Sequence, residues 1–201
     1  MGGAVRVGFV RIVGGALRGR RLPVPDRGVR PTSERAREAI FDILGPRLVR
    51  GARVLDLYAG TGALGIEALS RGAASADFVE KDPGHARRLE QNLRSLGFGP
   101  EARVHDADLD RGALPVALDG PWRLVFLDPP YDGDAGRRWV EILAGASRLE
   151  PDGILVYERR KGAEAPLPSA FTLATERTYG EATVAFYRAG GPAGAPGEGD
   201  P

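Results

Sequence analysis

Four consecutive residues with separate chemical capacities, Asp128-Pro129-Pro130-Tyr131, end the apolar run Leu124-Val125-Phe126-Leu127. A carboxylate, a doubly constrained turn and an aromatic ring at the end of a buried strand suit the preparation of a planar exocyclic amine for attack on a methyl group. The lone pair of such an amine is delocalised into its ring. Two acceptors that grip its N–H bonds favour a more tetrahedral nitrogen and free that pair. Asp128 can supply one acceptor and the Pro129 carbonyl the other, while the prolines fix the turn and bring no competing N–H donors. Tyr131 offers a face on which an unpaired base can stack, worth about 1–3 kcal/mol per base. If the methyl donor is a sulfonium, the leaving group is already activated, and positioning supplies most of the rate. The bland alternative is a turn in which Asp128 caps and Tyr131 packs.

A second cluster precedes it. Gly60, Gly62 and Gly65 satisfy G-x-G-x-x-G between an expected strand, Arg53–Leu57, and an expected helix, Gly62–Arg71. Glu80 ends the next expected strand, 24 residues beyond Asp56, near the ~20 typical of a ribose-binding carboxylate. A dinucleotide would rest its pyrophosphate on the helix N-terminus. S-adenosylmethionine carries an ammonium and a sulfonium instead, and Asp56 at the start of the loop favours that cationic ligand. Asp106 and Ala107, at the end of the third strand, are placed to read an adenine, the first through its carboxylate and the second through its N–H. Tyr58, Ala59 and Lys81 flank these positions and complete the expected cofactor contacts, with Asp128 closing the far side. Asp56 as a loop cap, Glu80 as a surface acid and Asp106 as part of a plain turn remain alternatives.

These residues need a scaffold that brings strand ends together. The chain has 201 residues, 42% hydrophobic and 27% charged, the size and balance of one globular domain. Strands and helices alternate. After Arg53–Leu57 and Gly62–Arg71 come strand Ser75–Glu80, helix Gly84–Leu96 and the short strand Arg103–His105. Strand Arg123–Leu127, helix Arg137–Ala146 and strand Ile154–Tyr157 follow, and Phe171–Glu176 with Thr183–Arg188 form a terminal hairpin. Such alternation predicts an α/β doubly wound sheet, mostly parallel, with an antiparallel last strand. Ligands then sit outside the carboxyl ends of the strands, where Asp56, Glu80, Asp106 and Asp128 all fall. Ahead of this body, Phe9–Pro25 reads as two short strands joined at Gly14-Gly15. The segment from Pro31 reads as a helix with Ala36, Ile40, Ile43 and Leu44 on one apolar face, stopped by Gly45-Pro46. Thr32 can cap this helix or touch the cofactor. The expected division is a basic arm over residues 1–30, a catalytic domain over 31–188 and a Gly- and Pro-rich tail over 189–201, whose composition predicts disorder.

Charge is distributed unevenly. Residues 1–50 hold 11 Arg and four acids, a net of +7, whereas the remaining residues hold 17 Lys+Arg and 23 acids, a net of −6. A basic segment on an acidic body suggests polyanion contact through Arg11, Arg18, Arg20 and Arg30, against the alternative of a solvated face. With no cysteine there is no disulfide framework, and His85 and His105 alone make a histidine-built metal site unexpected. No apolar run approaches 18 residues and the N-terminus lacks a secretory pattern, so a cytoplasmic protein is expected.

The D-P-P-Y sequence resembles the signature of S-adenosylmethionine-dependent amino methyltransferases. Together with "DLYAGTGALGIEALSRGA" and "RIVGGALRGRRLPVP…RPTSERAREAIFDIL", it resembles the RsmD family over Arg11 to Arg188. The resemblance implies methylation of guanine N2 in small-subunit (16S) ribosomal RNA on a Rossmann-like class I fold with seven strands. It also implies roles at the target base for Asp128, Pro129 and Tyr131, and at the cofactor for Asp56, Gly60, Gly62 and Glu80. The partner is ribosomal RNA in the small subunit, and a monomer is expected. The C-terminal "YGEATVAFYR" matches more loosely. Rival readings are an adenine methyltransferase acting on DNA or RNA, a protein-glutamine methyltransferase, a nicotinamide-dependent oxidoreductase and a non-catalytic RNA-binding protein. A DNA adenine methyltransferase usually needs an added base-reading domain, and Asp rather than Asn at position 128 counts against the second. The oxidoreductase leaves Asp128–Tyr131 unexplained.

Overall fold

A computed structural model describes residues 8–24, 33–131, 134–145 and 148–190. Thr32, Arg30 and nearly all of the expected tail lie outside the described residues.

Two strands open the chain, β1 (Gly8–Arg11) and β2 (Arg21–Val24), paired antiparallel with Phe9 opposite Pro23 and Arg11 opposite Arg21. The hairpin is not closed at Gly14-Gly15 as its glycines suggest. The strands stop well short of them, and the connection between the two strands is pinned by Ile12 N–H to Arg20 O and Gly19 N–H to Ile12 O. The glycines serve a different contact. Gly15 has φ of 76°, and a Cβ there would collide with the Ser70 carbonyl oxygen. The bare backbone lets the loop lie against the end of a helix, where Ala16 N–H donates to Ser70 O at 2.7 Å and Ser70 Oγ donates to Gly14 O at 2.6 Å.

Helix α1 (Glu34–Val49) starts at Ser33, whose side chain accepts from the Ala36 N–H, so the cap falls one residue after Thr32. The first helical run breaks at Gly45-Pro46, as the sequence suggests, and a short second run carries on to Val49. Gly45 leaves the helical region (φ 68°, ψ 161°) and Pro46 starts a last turn in a new direction, as its fixed φ permits. The buried face also differs from the expected one. Ala36, Arg37, Ile40 and Phe41 are buried, whereas Ile43 is 39% exposed.

The seven-stranded sheet follows: β3 (Arg53–Leu57), β4 (Ser75–Glu80), β5 (Ala102–Asp106), β6 (Trp122–Leu127), β7 (Leu149–Arg160), β8 (Phe171–Tyr179) and β9 (Ala182–Ala189). Their order is β5-β4-β3-β6-β7-β9-β8, and β9 alone runs against the others. Between them lie α2 (Ala63–Ser70), α3 (Pro83–Ser95) and α4 (Ala135–Gly145). Alternate strand residues face opposite layers. Val54, Phe78, Leu124 and Phe126 pack beneath α1, α2 and α3, with Ile40, Ile66 and Leu89. Leu55, Leu57, Val125 and Leu127 pack against Trp139, Val140 and Leu143 of α4.

Strand β7 begins five residues earlier and runs three residues longer than the apolar stretch Ile154–Tyr157 suggests. Asp152 takes φ of 61° and the register shifts between Trp122 and Leu124, so the strand bulges rather than breaks. Its extension, Glu158–Arg160, pairs with Ala182–Val184 of β9. Among the described residues no helix is long and apolar enough to cross a membrane.

Candidate active site

The order β4-β3-β6 places a chain reversal between β3 and β6, and a cavity of about 580 Å³ opens at the carboxyl ends of these strands. That volume suits a nucleoside-sized ligand. One wall is formed by Tyr58, Gly60, Glu80, Lys81 and Ala107, and the opposite wall by Asp128, Pro129, Pro130, Tyr131 and Glu158. Ser33, the cap of α1, Ala36 of α1, the β8–β9 turn Gly180-Glu181 and Ala182 of β9 are on the rim.

Glu80 organises the first wall. Its Oε2 accepts from the Gly60 N–H and its Oε1 from the Asp82 N–H, each at 2.8 Å. One carboxylate thus fixes the loop after β3 and the turn after its own strand. A carboxylate has about four lone-pair sites, so these two bonds leave acceptor capacity toward the cavity. Asp82 in turn caps α3, accepting from Gly84 and His85 N–H at 2.8 Å.

Tyr58 and Lys81 converge on a residue the sequence does not mark. Tyr58 Oη donates to Asp110 Oδ1 at 3.1 Å, and Lys81 Nζ lies 2.6 Å from Asp110 Oδ2. Partial burial, then the Asp110 charge, pushes the Tyr58 phenol up to about 12. The hydrogen bond from Lys81 holds the Asp110 carboxyl below its ordinary range.

The other glycine-loop residues lie behind the cavity. Asp56 is buried and its Oδ2 accepts from the Gly65 N–H at 2.9 Å, inside the first turn of α2. It braces the loop from beneath and is not among the residues that line the cavity. Burial, opposed by the Gly65 hydrogen bond and reinforced by the Glu80 charge, pushes its carboxyl up to about 7. Gly62 caps α2 with φ of 72°, where a Cβ would strike Leu89 Cδ1. Ala59 donates to Val79 O at 2.9 Å and accepts from Gly62 N–H at 2.7 Å, closing the turn.

Asp106 is exposed beyond the cavity, and the Ala107 N–H donates to Glu80 O at 3.2 Å. The donor expected to meet an adenine ring is therefore engaged within the sheet, although Ala107 itself lines the wall.

On the opposite wall, Pro129 is buried and Pro130 exposed, so the turn is anchored on one side only. Tyr131 Oη donates to Glu158 Oε1 at 2.8 Å, and the Arg160 guanidinium lies 6.0 Å from the Tyr131 ring centre. Burial, then the charges of Glu158 and Asp56, raises the Asp128 carboxyl well above its ordinary value. Glu158 escapes notice when Ile154–Tyr157 is read only as core. The signal is present nonetheless: an acid directly after an apolar parallel strand, as at Asp128.

The basic hairpin stands apart from this cavity. Arg11, Arg18, Arg20 and Arg21 are exposed. Arg11 is bound to Glu34 at 2.6 Å, and Arg20 reaches Ser95 O at 3.4 Å. Arg18 and Arg20 both lie in the connection between β1 and β2, and Arg21 is the first residue of β2. The inner edge of the hairpin is held by a buried ion pair that the sequence does not reveal. Arg37 of α1 lies 3.4 Å from Glu67 of α2 and donates to Arg11 O at 2.9 Å. Glu67 also accepts from the Val13 N–H at 2.9 Å and from Arg71 Nε at 2.8 Å.

Comparison with known proteins agrees with this architecture. Residues 10–188 match the family described as conserved hypothetical protein 95. The ribosomal RNA small subunit methyltransferase D of Escherichia coli (strain K12) is 37% identical over 185 residues, covering 90% of this chain and 90% of that protein. A solved Escherichia coli structure superposes with a TM-score of 0.80 at 35% identity, covering 92% of this chain and 100% of that one. An RNA methyltransferase of Salinibacter ruber, crystallised with S-adenosyl-L-homocysteine, shares the fold with a TM-score of 0.62 at 18% identity over 86% of this chain and 100% of that one.

Proposed function

This chain belongs to the RsmD family, matched by the conserved hypothetical protein 95 model over residues 10–188, and from that premise we propose that it transfers a methyl group from S-adenosylmethionine to the N2 amino group of a guanine in small-subunit ribosomal RNA. The observation that carries this reading is one cavity with two chemically distinct walls. Glu80 and the Gly60 loop stand on one side and Asp128–Tyr131 on the other.

The cofactor side fits an adenosyl group in its donor set. Glu80, held by two backbone N–H groups, can accept from adjacent ribose hydroxyls, and Tyr58, Lys81 and Ala107 line the same wall. When bound, S-adenosylmethionine supplies an electrophilic methyl on a sulfonium. The chain's own residues do the rest by position. Asp128 and the Pro129 carbonyl accept from the two N2 hydrogens, localising the lone pair on nitrogen. Tyr131 stacks or edges the base, its ring angle fixed by the bond to Glu158. Asp128 then holds the proton released from nitrogen, which suits a carboxyl whose proton affinity is already raised by burial. Arg18, Arg20 and Arg30 supply phosphate contacts, with Arg11 divided between RNA and Glu34. Thr32, next to the Ser33 cap in sequence, is assigned to the cofactor. The enzyme acts as a cytoplasmic monomer on small subunits, in which looped RNA presents bases already splayed from the stack.

The deciding experiment supplies labelled S-adenosylmethionine with unmodified small subunits and, separately, naked ribosomal RNA, then identifies the labelled nucleoside. N2-methylguanosine is expected. Label in N6-methyladenosine or in protein glutamine would replace this reading with one of its rivals.

A further inference from the structure

Glu158 stands on the target wall, where the proposed chemistry uses it only to hold Tyr131. The β6–β7 register pairs Leu127 with Tyr157. Asp128 directly follows β6, Glu158 is the next residue of β7, and both line the same cavity. Tyr131 Oη donates to Glu158 Oε1 at 2.8 Å, which sets the Tyr131 ring against that carboxylate. Two carboxylates therefore stand side by side where the base must enter.

Such a pair has a specific complement. The Watson–Crick edge of guanine presents N1–H beside the N2 amino group, so two adjacent positions both donate. Adenine, and equally 2-aminopurine, carries a lone pair at N1. A carboxylate facing N1 accepts from guanine and is repelled by the other two. We propose that Glu158 reads the N1–H of the target guanine while Asp128 grips the N2 amino group. This rests on the guanine-N2 reading above and adds to it a residue that selects the base. The electrostatics agree. Asp128 is destabilised as an anion first by burial and next by Glu158, and adjacent N–H donors from one base relieve both charges.

The test uses substrate RNA with guanine or 2-aminopurine at the modified position. Both bases carry an amine at C2, but 2-aminopurine lacks the N1 hydrogen. Wild type should favour guanine strongly. A site built to bond an N–H discriminates against a partner lacking it by far more than a purely apolar pocket does. Glu158→Gln can turn its amide NH2 toward the N1 lone pair, so the guanine to 2-aminopurine ratio of kcat/KM should fall about tenfold or more, the worth of one charged hydrogen bond. Tyr131→Phe is the control. It removes one hydrogen bond to Glu158 but leaves the carboxylate in place, and the ratio should stay within about threefold of wild type, less than the loss of a charged hydrogen bond. Circular dichroism and S-adenosylhomocysteine binding establish that both variants are folded. If folded Glu158→Gln keeps the wild-type ratio, Glu158 does not face N1. If Tyr131→Phe reproduces the Glu158→Gln ratio, Glu158 acts only through Tyr131, and the inference fails. A wild type that methylates no guanine overturns the functional reading itself and this inference with it.

Discussion

Glu80 and Gly60, twenty residues apart in sequence, are joined at 2.8 Å by a carboxylate oxygen and a backbone N–H. On the proposed reading, ligand recognition and loop geometry therefore depend on the same side chain. Glu80→Ala should weaken S-adenosylhomocysteine binding through both routes. The loss should reach about 1.5–3 kcal/mol, the range for hydrogen bonds to a charged group. Glu80→Gln keeps one acceptor and should lose less. Titration calorimetry on both variants checks the order, and equal affinity for wild type and Glu80→Ala would remove Glu80 from the site.

Asp128 should give methyl transfer a distinctive pH dependence. Its folded-state carboxyl titrates well above the ordinary carboxylate range, from burial first and Glu158 second. The N–H grip needs the anion, so kcat/KM should rise with pH through that elevated value, which the free enzyme reports. Glu158→Gln removes one raising charge, so the midpoint should move to lower pH. A midpoint that stays put, or moves up, contradicts the assigned cause.

Asp56 carries a stability signature of its own. Its carboxyl is pushed up to about 7 in the folded protein against an ordinary 3.8. Over that interval the folded state holds a proton that the unfolded state has released. Stability should therefore fall as pH rises from about 4 to about 7, the sign opposite to that of a salt-bridged carboxylate. Asp56→Asn keeps an acceptor for the Gly65 N–H and has nothing to titrate, so its urea midpoint should vary less across that window. An unchanged slope would mean that Asp56 is ionised throughout.

The Arg37–Glu67 pair should matter far more to folding than the exposed Arg11–Glu34 pair. Arg37 is 1% exposed, and Glu67 is fully buried. Breaking a buried ion pair by removing one partner costs about 3–5 kcal/mol. Glu67→Ala should accordingly lower the thermal midpoint by roughly 10 °C. Glu34→Ala breaks an exposed pair and should leave the midpoint nearly unchanged. Differential scanning calorimetry separates the two, and similar midpoints would contradict the ranking.

RNA binding should weaken with salt if the hairpin touches phosphate. Each contact contributes a slope near −0.7 for single strands. Replacing Arg18 and Arg20 by Ala should flatten the slope by roughly one to two units and leave cofactor affinity unchanged. Filter binding across a salt series measures this. An unchanged slope would assign the exposed arginines to solvent.

What the sequence discloses is whatever is local in the chain. The bounds of β3 and β4 follow from apolar runs that carry or end in an acid, and they match residue for residue. Asp128 and Glu80 are legible as acids at the ends of parallel strands. The misses are contacts between distant residues. Gly14-Gly15 looks like a turn because nothing nearby reveals that Ser70 presses against it. Arg37 looks like a surface residue of an amphipathic helix until Glu67, thirty positions later, is brought beside it. The Ala107 N–H looks available because pairing with Glu80 O depends on sheet order, which periodicity does not encode.

Helix α2 has eight residues, so its ends lie about 12 Å apart. The hairpin rests on its last residue, and the glycine loop turns at its first. A helix this short, buried along its length, has no hinge. On the proposed reading it works as a caliper: one jaw settles on the RNA backbone, the other on the methyl donor, and their separation is built into the chain. Which nucleotide is modified would then be decided by its distance from the phosphates the hairpin grasps, with the sequence around it playing a lesser part.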